Sequence, residues 1–236
     1  MRCLYLAVIH CLLLIACCYS SKGQNPDAAV RIGFDVIAGV LLSDYTPTNK
    51  LLTDNGYNGI KANSQRYGFG VAVCGPLTGK LPVRVGAQAI MNSNETISGN
   101  SRTAISGMNV QLGLELDVIN KGPIVAGPFV GLGVLTSNID ASKDNQVGSF
   151  NGYVSGSARA ISLNHLTFPV AFGGRVWYRL RNSTTGQLKR QGFALSGGYL
   201  LPLDGQNWYW ANNVSLPRGP NQNTGSWYIQ LGFGVR

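Results

Sequence analysis

The chain has 236 residues, of which 12% are charged and 31 are glycine, and its 19 Lys+Arg against 10 Asp+Glu leave a formal charge of +9. That is the length of one domain, with about half the charge density of a soluble one, for which roughly 25% is usual. Beyond the N-terminus no run reaches the ~20 consecutive apolar residues of a membrane helix, so helical spans are excluded and the scarcity of charge needs another explanation.

Residues 1–23 read as a signal peptide, with Arg2 as the positive end, Leu4 to Ala16 as the apolar run and cleavage expected near 21–24. Leu14-Ile15-Ala16-Cys17 resembles a lipobox in which Cys17 is acylated; the alternative is a cysteine-rich leader, since Cys3, Cys11 and Cys18 lie there too. Residues 24–236 then form one domain. Cys74 is the only cysteine beyond the leader, so no intrachain disulfide is expected, and its parity makes it a small inward-packing residue.

Eight segments of alternating character follow. The first, 30–42, sets Val30, Ile32, Phe34 and Val36 on one face and Arg31, Gly33 and Asp35 on the other. The second, 67–75, and third, 81–91, place Gly68, Gly70, Arg84 and Gln88 inward. The fourth, 108–118, alternates Met108, Val110, Leu112, Leu114, Leu116 and Val118 with Asn109, Gln111, Gly113, Glu115 and Asp117, which argues against helix. The fifth is 124–135, the sixth 166–180 with Arg175 inward, the seventh 193–201 and the eighth 227–236. Pro128 and Pro169 fall inside strands, where bulges or kinks are expected. The links alternate: 43–66, 92–107, 136–165 and 202–226 are long and polar, whereas 76–80, 119–123 and 182–186 are short turns. The pattern predicts an all-β fold, an eight-stranded antiparallel up-and-down transmembrane β-barrel with short periplasmic turns, long extracellular loops and both termini periplasmic.

That threading distributes the charge. The long links hold Lys50, Lys61, Arg66, Arg102, Lys143, Arg159 and Arg218 against six acidic residues, so the outer end is near neutral. The basic excess gathers at the other end, in Arg31, Lys80, Lys121, Arg179, Arg181, Lys189 and Arg190, where anionic phospholipid headgroups are the expected partner. Nucleic acid is not, because the export signal removes the chain from it. Inside the wall, Asp35, Glu115 and Asp117 share parity with Arg84 and Arg175, and a lumen ionic cluster that plugs the barrel is expected; the alternative is a narrow ion path.

Catalytic motifs fail. His165 is the single histidine after the leader, and Asn164-His165-Leu166-Thr167 lacks the adjacent serine that lipid-modifying barrel enzymes use; it reads as a solvated residue at a loop base. Gly75 to Lys80 is one residue short of a P-loop and reads as a turn. No metal-ligand spacing appears, and no cofactor is expected. Trp208-Tyr209-Trp210 is a candidate contact for a ligand or partner on the fourth long link.

The leader, the eight alternating strands and the Trp227-to-Arg236 segment resemble the outer-membrane β-barrel domain family, the broad group of OmpA-type, OmpX-type, opacity-like and PorT-like barrels. The resemblance spans about 28–236 and implies a bacterial outer-membrane location, outer-membrane lipids and the barrel assembly machinery as partners, and a monomer. The expected role is non-enzymatic: a structural wall whose loops meet an unidentified extracellular ligand. The alternatives are a small porin-like channel and, third, a lipid-modifying enzyme using His165.

Overall fold

A strand whose side chains alternate between two chemistries can bury either set, and this chain buries the polar one. Along the last strand, Ser226, Tyr228, Gln230, Gly232 and Gly234 are buried while Trp227, Ile229, Leu231 and Phe233 are exposed. A soluble sheet would face the other way. The computed structural model describes residues 31–76, 82–99, 101–143, 160–181, 185–186, 188–203, 208–210, 215–216 and 225–235. The leader with Cys17 lies outside the described residues, as do residues 77–81, 144–159 and most of 204–224.

The wall is built from β1 (Arg31–Ser43), β2 (Asn63–Pro76), β3 (Pro82–Ser98), β4 (Ser101–Leu116), β6 (Ile124–Lys143), β7 and β8 (Ala160–Thr167 and Pro169–Arg181), β9 (Leu188–Pro202) and β12 (Ser226–Val235); β5 (Ile119–Lys121), β10 (Trp208–Trp210) and β11 (Ser215–Leu216) are short additions to it. Each wall strand pairs antiparallel with the next, and β12 returns to β1, closing the sheet. With β7 and β8 counted as one interrupted strand, this is the expected eight-stranded antiparallel barrel. Its stagger can be read from the ladder. Starting at Arg31, the pairing partners run through Cys74, Arg84, Glu115, Phe129, Gly173, Gly198 and Tyr228, and reach β1 again at Leu41, ten residues above the start. Eight strands with that shear tilt by about 40°, and the interior is just wide enough for side chains to fill.

Both prolines mark irregularities. The sixth expected strand breaks at Phe168, immediately before Pro169. Opposite Pro128 the irregularity sits on the partner: Glu115 pairs with Phe129, but Ile119, in β5, pairs with Ala126, so residues 116–118 oppose 127–128, one extra residue on that side. This is a bulge opposite a residue that cannot donate to the ladder. The expected turn at 119–123 is thus partly strand, closed by Gly122 at φ 56°.

The long links are also shorter than expected. Positions 92–98 and 101–107 continue β3 and β4 as one hairpin in which Ser98 pairs with Ser101, and 136–143 and 160–165 continue β6 and β7. The first link, 43–66, folds in part into a helix, α1 (Thr46–Asp54). Asp44 accepts hydrogen bonds from the Thr46 backbone (2.9 Å) and hydroxyl, and these hold its carboxyl below the usual range. The helix ends at Gly56 (φ 75°), where Tyr57 N–H donates to Leu52 O at 2.9 Å and Gly56 N–H to Thr53 O at 2.8 Å, a Schellman closure. Asn49 ties α1 to the chain that follows, donating to Ile60 O (2.9 Å) and accepting from Ile60 N–H (2.6 Å).

The apolar face of α1 has something to cover. On the inner face of β4 and β6, above the polar positions, Ile105, Ile139 and Ala141 pack with Leu52 and Ile60 into a buried cluster flanked by Tyr45, Tyr57, Ile161 and Leu163. This second core caps the mouth of the barrel. Leu52→Ala is expected to cost the cap about 2–5 kcal/mol. Limited proteolysis would show faster cutting within residues 44–62 with heat-modifiable gel migration of the barrel unchanged; simultaneous loss of both would mean that the cap is not an independent unit.

Candidate functional site

Closure with a ten-residue climb brings distant inner-face residues together. Asp35 on β1, Arg84 on β3, Glu115 on β4 and Arg175 on β8 all point inward and are between 1% and 6% exposed. Arg84 donates to Asp35 and, at 3.2 Å, to Glu115; Arg175 donates to Asp35 at 3.1 Å and lies 3.7 Å from Glu115. Two cations and two anions alternate, and the cluster is neutral as a unit. Removing any one member leaves an uncompensated charge in a low-dielectric interior, and that penalty, rather than the net worth of the pairs, makes each side chain matter. Asp117 is buried at 9% where the chain has left the ladder at Leu116, and its backbone N–H donates to Pro82 O at 3.0 Å.

Aromatic side chains wall the cluster in. The Arg175 guanidinium sits 5.5 Å from the ring of Trp177, which is fully buried. Room for that indole comes from Gly192, where a Cβ would stand 2.9 Å from Trp177 Nε1. Toward the capped end Phe129 and Tyr228 meet at 6.2 Å in tilted geometry, and the Arg66 guanidinium lies 4.6 Å from the Tyr228 centroid. Two small cavities lie along the axis. A cavity of about 40 Å³ borders Arg84, Glu115, Arg175 and Gln111, and one of about 50 Å³ lies beneath the cap, bordered by Ser64, Asn92, Ser137, His165 and Thr167. Each has room for a few waters.

Two expectations are corrected here. His165 is not a solvated loop-base residue: β7 continues through it, it faces inward beside Thr167, and it is 7% exposed. Arg66 is not a loop charge either. It is a wall residue of β2, paired with Gly39 and Asn92, and 2% exposed. Its even parity with Gly68, Gly70 and Ala72 was the available signal, hidden by beginning the strand one residue late. Trp208–Trp210 forms the short strand β10, which pairs with His165 to Leu163 of β7 and with β11; its side chains lie outside the described residues. Among the described residues no group of three His, Cys, Asp or Glu is placed to hold a metal ion.

The exterior is graded. Near the cap, Tyr199 stacks edge-on against Trp227 at 4.9 Å and meets Phe172 at 5.7 Å; toward the opposite end Phe193 meets Phe233 at 5.1 Å. The exposed belt also carries aliphatic residues such as Val36, Leu132 and Leu231, with Phe34 and Phe69 among them.

No protein-family model and no curated protein matches the chain. Among solved structures it is similar to a major outer membrane protein from Thermus thermophilus, at 13% identity and a TM-score of 0.51, over 88% of this chain and 99% of that one. It also aligns with Ail, the attachment invasion locus protein of Yersinia pestis (10% identity, 89% and 99% covered, TM-score 0.40), and with Neisserial surface protein A (10%, 88% and 98%, TM-score 0.38). The Thermus likeness is one of fold: this chain has the architecture of an eight-stranded outer-membrane barrel.

The ionic cluster makes a sharp mutational prediction. Arg84→Met is expected to destabilise the barrel by about 3–5 kcal/mol, whereas Arg84→Met with Glu115→Leu recovers most of the loss, because Asp35 and Arg175 remain paired. Urea unfolding of the refolded protein measures both; equal destabilisation in the single and double variants would contradict it.

Proposed function

We propose that this protein is a non-enzymatic barrel of the bacterial outer membrane, sealed along its axis, whose apolar belt meets lipid and whose capped outer end serves surface contacts. The observation that carries the reading is the inverted wall. Leu132 (64% exposed), Leu231 (63%), Ile229 (61%), Val36 (56%) and Phe69 (53%) stand outward on four strands, and a belt of this kind around a whole barrel far exceeds the few hundred Å² of apolar patch a soluble monomer exposes. Hydrocarbon is the solvent that suits it. Arg31, Lys121, Arg181 and Arg190 are exposed at the end away from the cap, which suits anionic headgroups of the periplasmic leaflet and supports periplasmic termini.

Sealing is favoured over conduction. The four-membered ionic cluster, the Phe129–Tyr228 layer and the capping core succeed one another along the axis, and the two interior cavities are about 40 and 50 Å³.

Nitroxide labels at Leu114 and Leu231 are expected to be accessible to oxygen and shielded from an aqueous paramagnetic reagent, and labels at Gln111 and Gln230 to be reached by neither. Water exposure at the first pair would remove the membrane reading. In planar bilayers the wild-type protein is expected to give no steady conductance, and an unchanged envelope lipid profile in His165→Ala is the outcome that fits a non-enzymatic wall.

A further inference from the structure

On the outside of the barrel, polarity changes in steps as the wall rises toward the capped end. Tyr67, Met91, Met108, Thr136 and Leu166 are successive partners on β2, β3, β4, β6 and β7, and they face outward. Two residues higher, the outward partners are Gln65, Ser93, Ser106, Asn138 and Asn164, polar and without charge. Two residues higher again stand Glu95, Ala104, Asp140 and Ser162. Arg102, the next outward residue of β4, donates to Glu95. Serine occupies the middle row on both β3 and β4, so the wall is thin there between longer side chains, and a depression of about 650 Å³ lies over it.

The lining of that depression suits one kind of molecule. Its lower part is Tyr67, Met91, Met108 and Leu166, continuous with the apolar belt, and its upper part is Ser93, Ser106, Asn138 and Asn164. Asn138 is already engaged, donating to Asp140 at 3.0 Å and accepting from Ser162 at 3.2 Å. Ser93, Ser106 and Asn164 make no side-chain hydrogen bond among the described residues, so two hydroxyls and an amide border the depression unpaired. No lysine or arginine lines it, and a phosphate is held by such cations. Neutral donors and acceptors above an apolar floor match an uncharged, hydroxyl-rich head group above an acyl chain.

We propose that this depression holds a lipid whose head group is an uncharged saccharide. Its acyl chain lies against Met91 and Met108, whose flexible thioethers adapt to a hydrocarbon chain. Its sugar hydroxyls pair with Ser93 Oγ, Ser106 Oγ and the Asn164 amide. The site selects among lipids by hydrogen bonding, in contrast to the basic residues Arg31, Lys121, Arg181 and Arg190 at the opposite end. It rests on the reading of the apolar belt as lipid-facing.

The test uses the full chain in phosphatidylcholine bilayers that contain equal minor amounts of a diglucosyl diacylglycerol and of phosphatidylglycerol with matched acyl chains. Native mass spectrometry of the released protein is expected to find the glucosyl lipid retained about tenfold over phosphatidylglycerol, the factor that two net hydrogen bonds of ordinary strength supply. Ser106→Trp fills the depression from an exposed position and is expected to abolish the preference with heat-modifiable migration unchanged. Ser93→Val combined with Asn164→Leu keeps the apolar floor and is expected to level the two lipids. Equal retention by the wild type, as an acyl chain held regardless of its head group would give, or a preference that survives either change, would overturn the proposal. Should the variants fail to fold, a glucosyl lipid with a diazirine in its acyl chain decides. Its adducts are expected at Met91 and Met108 in preference to Leu195 and Leu231 across the barrel, and an even spread would count against the site. Nitroxides at Leu114 and Leu231 still report hydrocarbon if this site alone fails, and report water if the membrane reading fails.

Discussion

Every strand of this wall has a hydrogen-bonded neighbour on both sides, because β12 pairs with β1 from Ser226 to Val235. Closing the sheet is what allows an apolar exterior at all. An open edge would leave a row of N–H and C=O groups facing a medium that cannot answer them. Closure also has a register, and the register has consequences. A circuit of the ladder ends ten residues above its start on β1, so strands tilt and interior neighbours are set by rows that climb. Arg175, Ser196, Gln230, Gly39 and Arg66 occupy one such row, although each comes from a separate strand.

Along the axis one inward face changes chemistry several times. On β4 it passes from Glu115 through Gln111 and Asn109 to Ile105 and Thr103, without a change of parity. Charge is gathered at the level where two arginines and two carboxylates neutralise one another. Amides and hydroxyls line the middle, where small cavities remain. Aliphatic residues take over where α1 descends on the mouth. The barrel therefore has two cores, one ionic and one apolar, and a polar layer between them in which Arg66 lies against Tyr228.

Much of the wall was legible because period-two alternation survives any tertiary context: Met108 to Leu116 and Trp227 to Val235 carry their faces in the residue order. The strand ends were less legible. Residues 92–107 and 136–165 are rich in Asn, Ser and Gly and read as loops, yet much of them continues the β3–β4 and β6–β7 ladders. A hairpin that rises above the proposed lipid belt no longer needs an apolar outer face, so the alternation fades while the hydrogen bonds continue. At Asp117 the backbone departs from the simple alternation. Its parity with Glu115 is correct, but the bulge opposite Pro128 takes the chain out of the ladder before it.

By itself the amino-acid order determined the fold class, the number of wall strands and which face of each looks inward, since these follow from local alternation and the spacing of turns. Only the closed structure decided which inward residues meet. Asp35 and Arg175 are 140 positions apart and lie 3.1 Å from one another, and Leu52 finds Ile105 and Ile139 across the mouth. Such contacts depend on the shear of the barrel, and shear is a property of the whole ring of ladders that no single strand contains.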